Sequence, residues 1–93
     1  MIPLEQLQAI AHQYRVKRLE LFGSAARGEL AHDHDFLVEF EPMPALEHGR
    51  VYFALLHALE LEVGKVDLIE LEAIQNPYFL ESILAERVLL FAG

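Results

Sequence analysis

Cysteine and tryptophan are both missing from the 93 residues, and seven lysines and arginines stand against fifteen aspartates and glutamates. Without cysteine, disulfides and thiolate-bound metals are excluded, and a reducing cytoplasm is the expected setting. No apolar run approaches the ~20 residues that a membrane-spanning helix needs, so no membrane partner is expected. The opening MIPLEQLQAI reaches polar and acidic residues too soon for a signal peptide. With a net charge of −8, cations are too few for the broad basic face by which proteins displace phosphate counterions. Direct nucleic-acid binding is therefore not expected. The acidic balance fits a metal ion, a basic partner or simple solubility, and composition does not choose among them.

What is present is a globular composition, 54% hydrophobic and 24% charged. The length fits one domain over residues 1–93, near the lower end of what builds its own core. Residues 3–14 place Leu4, Leu7, Ile10, Ala11 and Tyr14 at helical spacing behind Pro3. VKRLELF, residues 16–22, reads as a strand ended by Gly23, and SAARGEL reads as a helical turn or short helix from Ser24. HDFLVEFE carries the clearest strand signal, stopped by Pro42 and Pro44. A long helix follows from about Glu47 to Val63, with Tyr52, Leu55, Leu56, Leu59 and Val63 on one stripe and Gly64 as its cap. KVDLIEL reads as a third strand, NPYFLESILAERV as a helix capped by Asn76, and LLFAG as a short strand or extended tail. The fold class expected is α/β (α+β), a small mixed sheet flanked by helices.

Two aspartates, Asp33 and Asp35, stand at the mouth of the second strand. Side chains alternate along a strand, so Asp33, Asp35 and Leu37 share one face, and His34, Phe36, Val38 and Phe40 share the other. The apolar set is expected to pack against helices. The carboxylates then project together, with Cα atoms roughly 7 Å apart. Carboxylates this close raise each other's proton affinity unless a cation intervenes. Oxygen ligands suit Mg2+ or Mn2+. Asp67 sits inside an otherwise apolar strand, where a carboxylate is costly unless paired or metal-bound, and is the natural third ligand. Gly23-Ser24 stands at a strand-to-helix junction, where backbone amides can hold phosphate and glycine permits close approach.

GSAARGEL, DHDFLVEF and VDLIEL, in that order, resemble the minimal nucleotidyltransferases (MNT type), small members of the DNA polymerase β superfamily. The resemblance covers nearly the whole chain and implies a polymerase-β-like fold. It implies transfer of a nucleoside monophosphate, from ATP or another NTP, to an acceptor hydroxyl with release of pyrophosphate. Gly23 and Ser24 would hold the triphosphate. Asp33 and Asp35 would bind Mg2+ or Mn2+, and Asp67 would be the third carboxylate and candidate base. Arg27 would meet phosphate charge or pair with Glu29. The family commonly acts with a HEPN-type helical protein as antitoxin, and a chain this short leaves the acceptor to a second polypeptide. Homo-oligomer formation is left open.

Two departures accompany the resemblance. The stretch from Ser24 to Asp33 is shorter than the family pattern, and His32 stands where a small polar residue is usual. A rival reading of His32-Asp33-His34-Asp35 as a phosphohydrolase metal site needs ligands from several helices, whereas this run leads into a strand. His12, His48 and His57 lie on helices without ligand spacing, and Tyr52, Phe53 and Tyr78 are expected to be packing residues. A non-catalytic module that neutralises a partner through its acidic surface need not hold nucleotide, and a plain structural subunit would tolerate loss of Asp67.

Overall fold

The computed structural model describes residues 2–29 and 33–93. His32, and the last residue of the SAARGEL segment, fall outside them. The first helix, α1 (Leu4–Gln13), leads through a tight turn into β1 (Val16–Phe22). Next come the single-turn α2 (Gly23–Ala26), β2 (His34–Phe40) and the long α3 (Ala45–Val63). The chain ends with β3 (Val66–Glu70), a 3-10 turn over Leu71–Ala73, α4 (Pro77–Glu86) and β4 (Val88–Ala92). The expected element order stands, and the boundaries move by one or two residues. LLFAG is settled as a strand, which starts at Val88 and pairs with β1.

Local chemistry explains the breaks. Gly64, with φ 90°, ends α3 in a backbone region that a side chain would disfavour. Asn76 Oδ1 accepts from the amides of Tyr78 (2.9 Å) and Phe79 (3.3 Å), and Pro77 fills the first position of α4, where its missing N–H is not needed.

The strands lie in the order β3-β2-β1-β4. The pairs β1–β2 and β1–β4 are antiparallel, whereas β2–β3 is parallel, with α3 as the crossover that a parallel pair requires. On one face, Phe36, Val38 and Phe40 join Leu19, Leu21 and Leu68 beneath Leu7 and Ala11 of α1 and Leu55 and Leu59 of α3. The opposite face holds a smaller core of Phe22, Leu37 and Ile83, with Ile69, Leu71 and Ile74 around it. The expectation of one packed face on β2 is thereby corrected: Leu37 is as buried as its neighbours, because α4 covers its half of the second face.

Glu20 also points to that second face and is only 2% exposed. Arg87 Nη1 donates to its Oε1 at 3.2 Å, and Arg18 Nε lies 3.3 Å from the same oxygen. A buried carboxylate persists only with such partners, and this pairing pins the start of β4 to β1.

Two aromatic expectations need correcting. Tyr52 packs against the main core, but Phe53 is 68% and Tyr78 81% exposed. Phe53 lies off the stripe that carries Leu55 and Leu59, and Tyr78 faces outward from the first turn of α4. No helix among the described residues is long and apolar enough to cross a membrane.

Candidate active site

Parallel pairing of β2 with β3 sets Asp35 opposite Asp67, His34 opposite Val66 and Leu37 opposite Ile69. Residues opposite one another in adjacent strands share a face, with the strands about 4.8 Å apart. Asp35 and Asp67 therefore stand side by side on the face that carries α4. Two residues further along each strand, Leu37 and Ile69 are buried in the smaller core. The carboxylates occupy the uncovered end of that face. Burial raises the proton affinity of Asp35 above the ordinary carboxylate value of 3.8, and Asp67 and then Asp33 raise it further, with His34 opposing. The carboxylate pair is short of positive charge.

Antiparallel pairing places Phe22 beside Asp35, so the chain leaves β1 at the level of the pair. Gly23 follows with φ 74°. A β-carbon at Gly23 would overlap Asp35 Oδ2, so glycine lets the backbone run against this carboxylate without displacing it. Ser24 follows in α2, whose first turn has no side-chain cap. Phe22 in turn meets Phe79 of α4 edge to face, with centroids 6.4 Å apart.

Asp33 behaves differently. It precedes β2, is exposed, and its Oδ2 lies 3.7 Å from Lys65 Nζ. Among the described residues, no three Asp, Glu, His or Cys side chains are gathered closely enough to cage an ion. The structure pairs Asp35 with Asp67 in register and has Asp33 just ahead of β2, beside Lys65. Asp33 is still close enough to raise the proton affinity of Asp35. The donor set still fits a hard divalent cation, since it is all oxygen, already repulsive and open on one side. Asp33, Asp35 and Asp67 would supply the oxygen ligands of such an ion.

Arg27 answers the alternative left open by the sequence. Its Nε donates to Glu29 Oε2 at 2.5 Å, and its Nη1 donates to Glu86 Oε2 at 2.8 Å. Both carboxylates hold the guanidinium in its charged form, so it titrates above its ordinary value. The arginine clips α2 to the end of α4, and a phosphate would have to compete for it.

Sequence reasoning missed three contributors. Glu86 lies far along the chain from Arg27, and Lys65 precedes its strand without a motif to mark it. The Tyr52 hydroxyl donates to the Leu68 carbonyl at 2.6 Å, bracing β3 directly after Asp67. Burial raises the phenol's proton affinity, as do Glu70 and Asp67. The stripe on α3 announced the ring of Tyr52 but not this use of its oxygen. His34 stacks beside Phe36 on the main-core face, as its strand position predicts. A cavity of about 300 Å³ lined by Phe40, Met43, His48 and Glu70 lies at the far end of β2 and β3, remote from this chemistry. His48 is engaged there with Glu70.

The model of the polymerase beta nucleotidyltransferase family matches residues 5–92. This chain belongs to that family. The nucleotidyltransferase is 43% identical over 76 residues to a candidate protein adenylyltransferase of Methanocaldococcus jannaschii, covering 76% of this chain and 73% of that protein. A solved structure of a candidate minimal nucleotidyltransferase is 31% identical, with a TM-score of 0.65, over 91% of this chain and 86% of that one. The fold also matches, at 16% identity and a TM-score of 0.61, a structure described as a tri-AMPylated Shewanella oneidensis HEPN toxin in complex with MNT antitoxin. That match covers 97% of this chain and 70% of that one. Among the expected readings, the minimal nucleotidyltransferase with a polymerase-β-like fold stands.

Proposed function

We propose that this nucleotidyltransferase moves AMP from ATP to a hydroxyl, a tyrosine by preference, on a HEPN-type helical partner, and serves as the antitoxin of that pair. The observation that carries the chemistry is the in-register Asp35–Asp67 pair with the Gly23 backbone set against it. The choice of AMP and of a protein acceptor is supported by the M. jannaschii relative's description, and the HEPN partner by that of the S. oneidensis complex.

In this reading Gly23 and Ser24 receive the triphosphate through first-turn amides that no side chain caps. Asp33, Asp35 and Asp67 hold the divalent cation, which when bound neutralises the carboxylates and the charge that develops on the phosphates. Asp67 accepts the proton of the acceptor hydroxyl. The acceptor oxygen then bonds to the α-phosphorus as the bond from the α-phosphorus to the oxygen bridging towards the β-phosphate breaks, and pyrophosphate leaves. Positioning and charge stabilisation supply most of the rate, as in phosphoryl transfers generally. The net charge of −8 favours encounter with a basic, RNA-cleaving partner.

Mass spectrometry of a co-expressed HEPN neighbour tests the proposal. The expected result is a gain of one or more AMP units that disappears with Asp35→Asn. An unmodified neighbour, whose toxicity the Asp35→Asn variant suppresses as well as the unaltered chain does, would establish neutralisation by binding alone.

A further inference from the structure

Lys65 is the one cation among the described residues whose ion pair is with a carboxylate of the candidate site. Arg27 is held by Glu29 and Glu86, Arg87 by Glu20, and Arg15 by Glu41 and Glu47. Lys65 Nζ lies 3.7 Å from Asp33 Oδ2, with the lysine side chain 77% exposed and the aspartate 50%. An exposed pair of this kind contributes little to stability, so structure alone gives no reason for a lysine here. Its location is constrained all the same. The Lys65 carbonyl accepts from the His34 amide at 3.0 Å, which ties the lysine backbone to the residue between Asp33 and Asp35.

A divalent cation and an ammonium compete for the same carboxylate oxygens. Once a metal ion takes Asp33, the Lys65 ammonium loses its partner while its backbone stays anchored at the mouth of β2. Its flexible four-carbon stem and three donors are then available to another anionic partner. We propose that Lys65 is a positioning residue with two successive partners, Asp33 in the metal-free chain and the phosphates of a nucleoside triphosphate once the metal has claimed Asp33. The proposal rests on the nucleotide site put forward above.

The two roles have opposite signs, which makes them separable by titration without any acceptor protein. Removing the ammonium frees Asp33 for the metal and deprives the nucleotide of a donor. Mn2+ alone and ATP with saturating Mg2+ would be titrated calorimetrically into the full chain, into Lys65→Met and Lys65→Arg, and into Lys17→Met. Lys17 is the control for net charge, because it sits near the opposite end of β1. Lys65→Met should bind Mn2+ several-fold more tightly and Mg2+-ATP about tenfold more weakly, the worth of one charge-assisted hydrogen bond. Lys65→Arg should recover most of the ATP affinity, and Lys17→Met should change neither.

Unchanged ATP affinity in Lys65→Met, or an equal loss in Lys17→Met, would overturn the proposal while leaving the nucleotide site in place. Absence of Mg2+-ATP binding by the unaltered chain would instead remove the nucleotide site, and the role of Lys65 with it. Melting curves of the metal-free variants should coincide, which separates positioning from a structural role.

Discussion

The two faces of the sheet are covered unequally. One is closed by α1 and α3 in a core of a dozen buried residues, whereas on the other Ile83 of α4 packs with Phe22 and Leu37. On the first face, the middle of each strand serves packing, with His34 and Glu70 as polar residues towards its two ends. On the second, the same alternation runs out of cover at Asp35 and Asp67, and the side chains change from apolar to acidic where the helix stops. The site exists because the second layer is too short. A fully covered sheet would be more stable and would have nowhere to put three carboxylates.

The largest effect should come from the uncovered end. Asp35→Asn should lower nucleotide transfer at least about hundredfold, the scale seen when one preorganised charge-stabilising group is removed. Fold stability should not fall. Asp35 binds its proton more readily in the folded chain than at the ordinary value of 3.8. Folded protein thus holds more protons than unfolded between that value and the raised one, and stability contributed here falls as pH rises through that window. Asparagine removes the dependence, so the metal-free variant should melt at the same temperature or higher at neutral pH.

Next comes the contrast between the cores. Leu55→Ala, in the closed face, should cost about 3 kcal/mol, and Ile83→Ala about 2 kcal/mol, because the smaller core can settle onto the space left behind. Urea titration of both would check this, and a larger loss for Ile83 would show that α4 holds the fold together more than its covered area suggests. Gly23→Ala should cost about 1 kcal/mol from its positive φ. It should also push Asp35 aside, so its transfer rate should fall further than its stability. The smallest effect is expected from Arg27→Ala, whose exposed ion pairs should leave the melting curve nearly unchanged. A marked loss of ATP affinity in that variant would show that the phosphates recruit the arginine away from Glu29 and Glu86.

Much of this arrangement was legible in the chain. Period-two alternation put Asp33, Asp35 and Leu37 on one face, and a lone aspartate within VDLIEL flagged Asp67. Gly64, Asn76 and Pro77 marked their helix ends because caps are local chemistry. Phe53 could have been read as well, since it falls off the stripe shared by Leu55 and Leu59. Other features depended on contacts that no local window contains. The Arg27–Glu86 bond joins segments separated by most of the sheet, and the cover over Leu37 comes from a helix that follows β3. The Lys65–Asp33 pair was also hidden, because the parallel pairing of β2 and β3 decides it.

That parallel pairing has a consequence for the order in which the chain acquires competence. The β1–β2 pairing brings Phe22 beside Asp35 through segments closer in sequence than β2 and β3 are. Asp67 joins only after the whole of α3 has crossed over and β3 has docked, a long loop closure. A chain in which β3 has not docked would have Gly23, Ser24, Asp33 and Asp35 without the group proposed to accept the proton beside them. Catalytic output then reports the completed sheet, and a chain that stalls before β3 docks stays chemically silent.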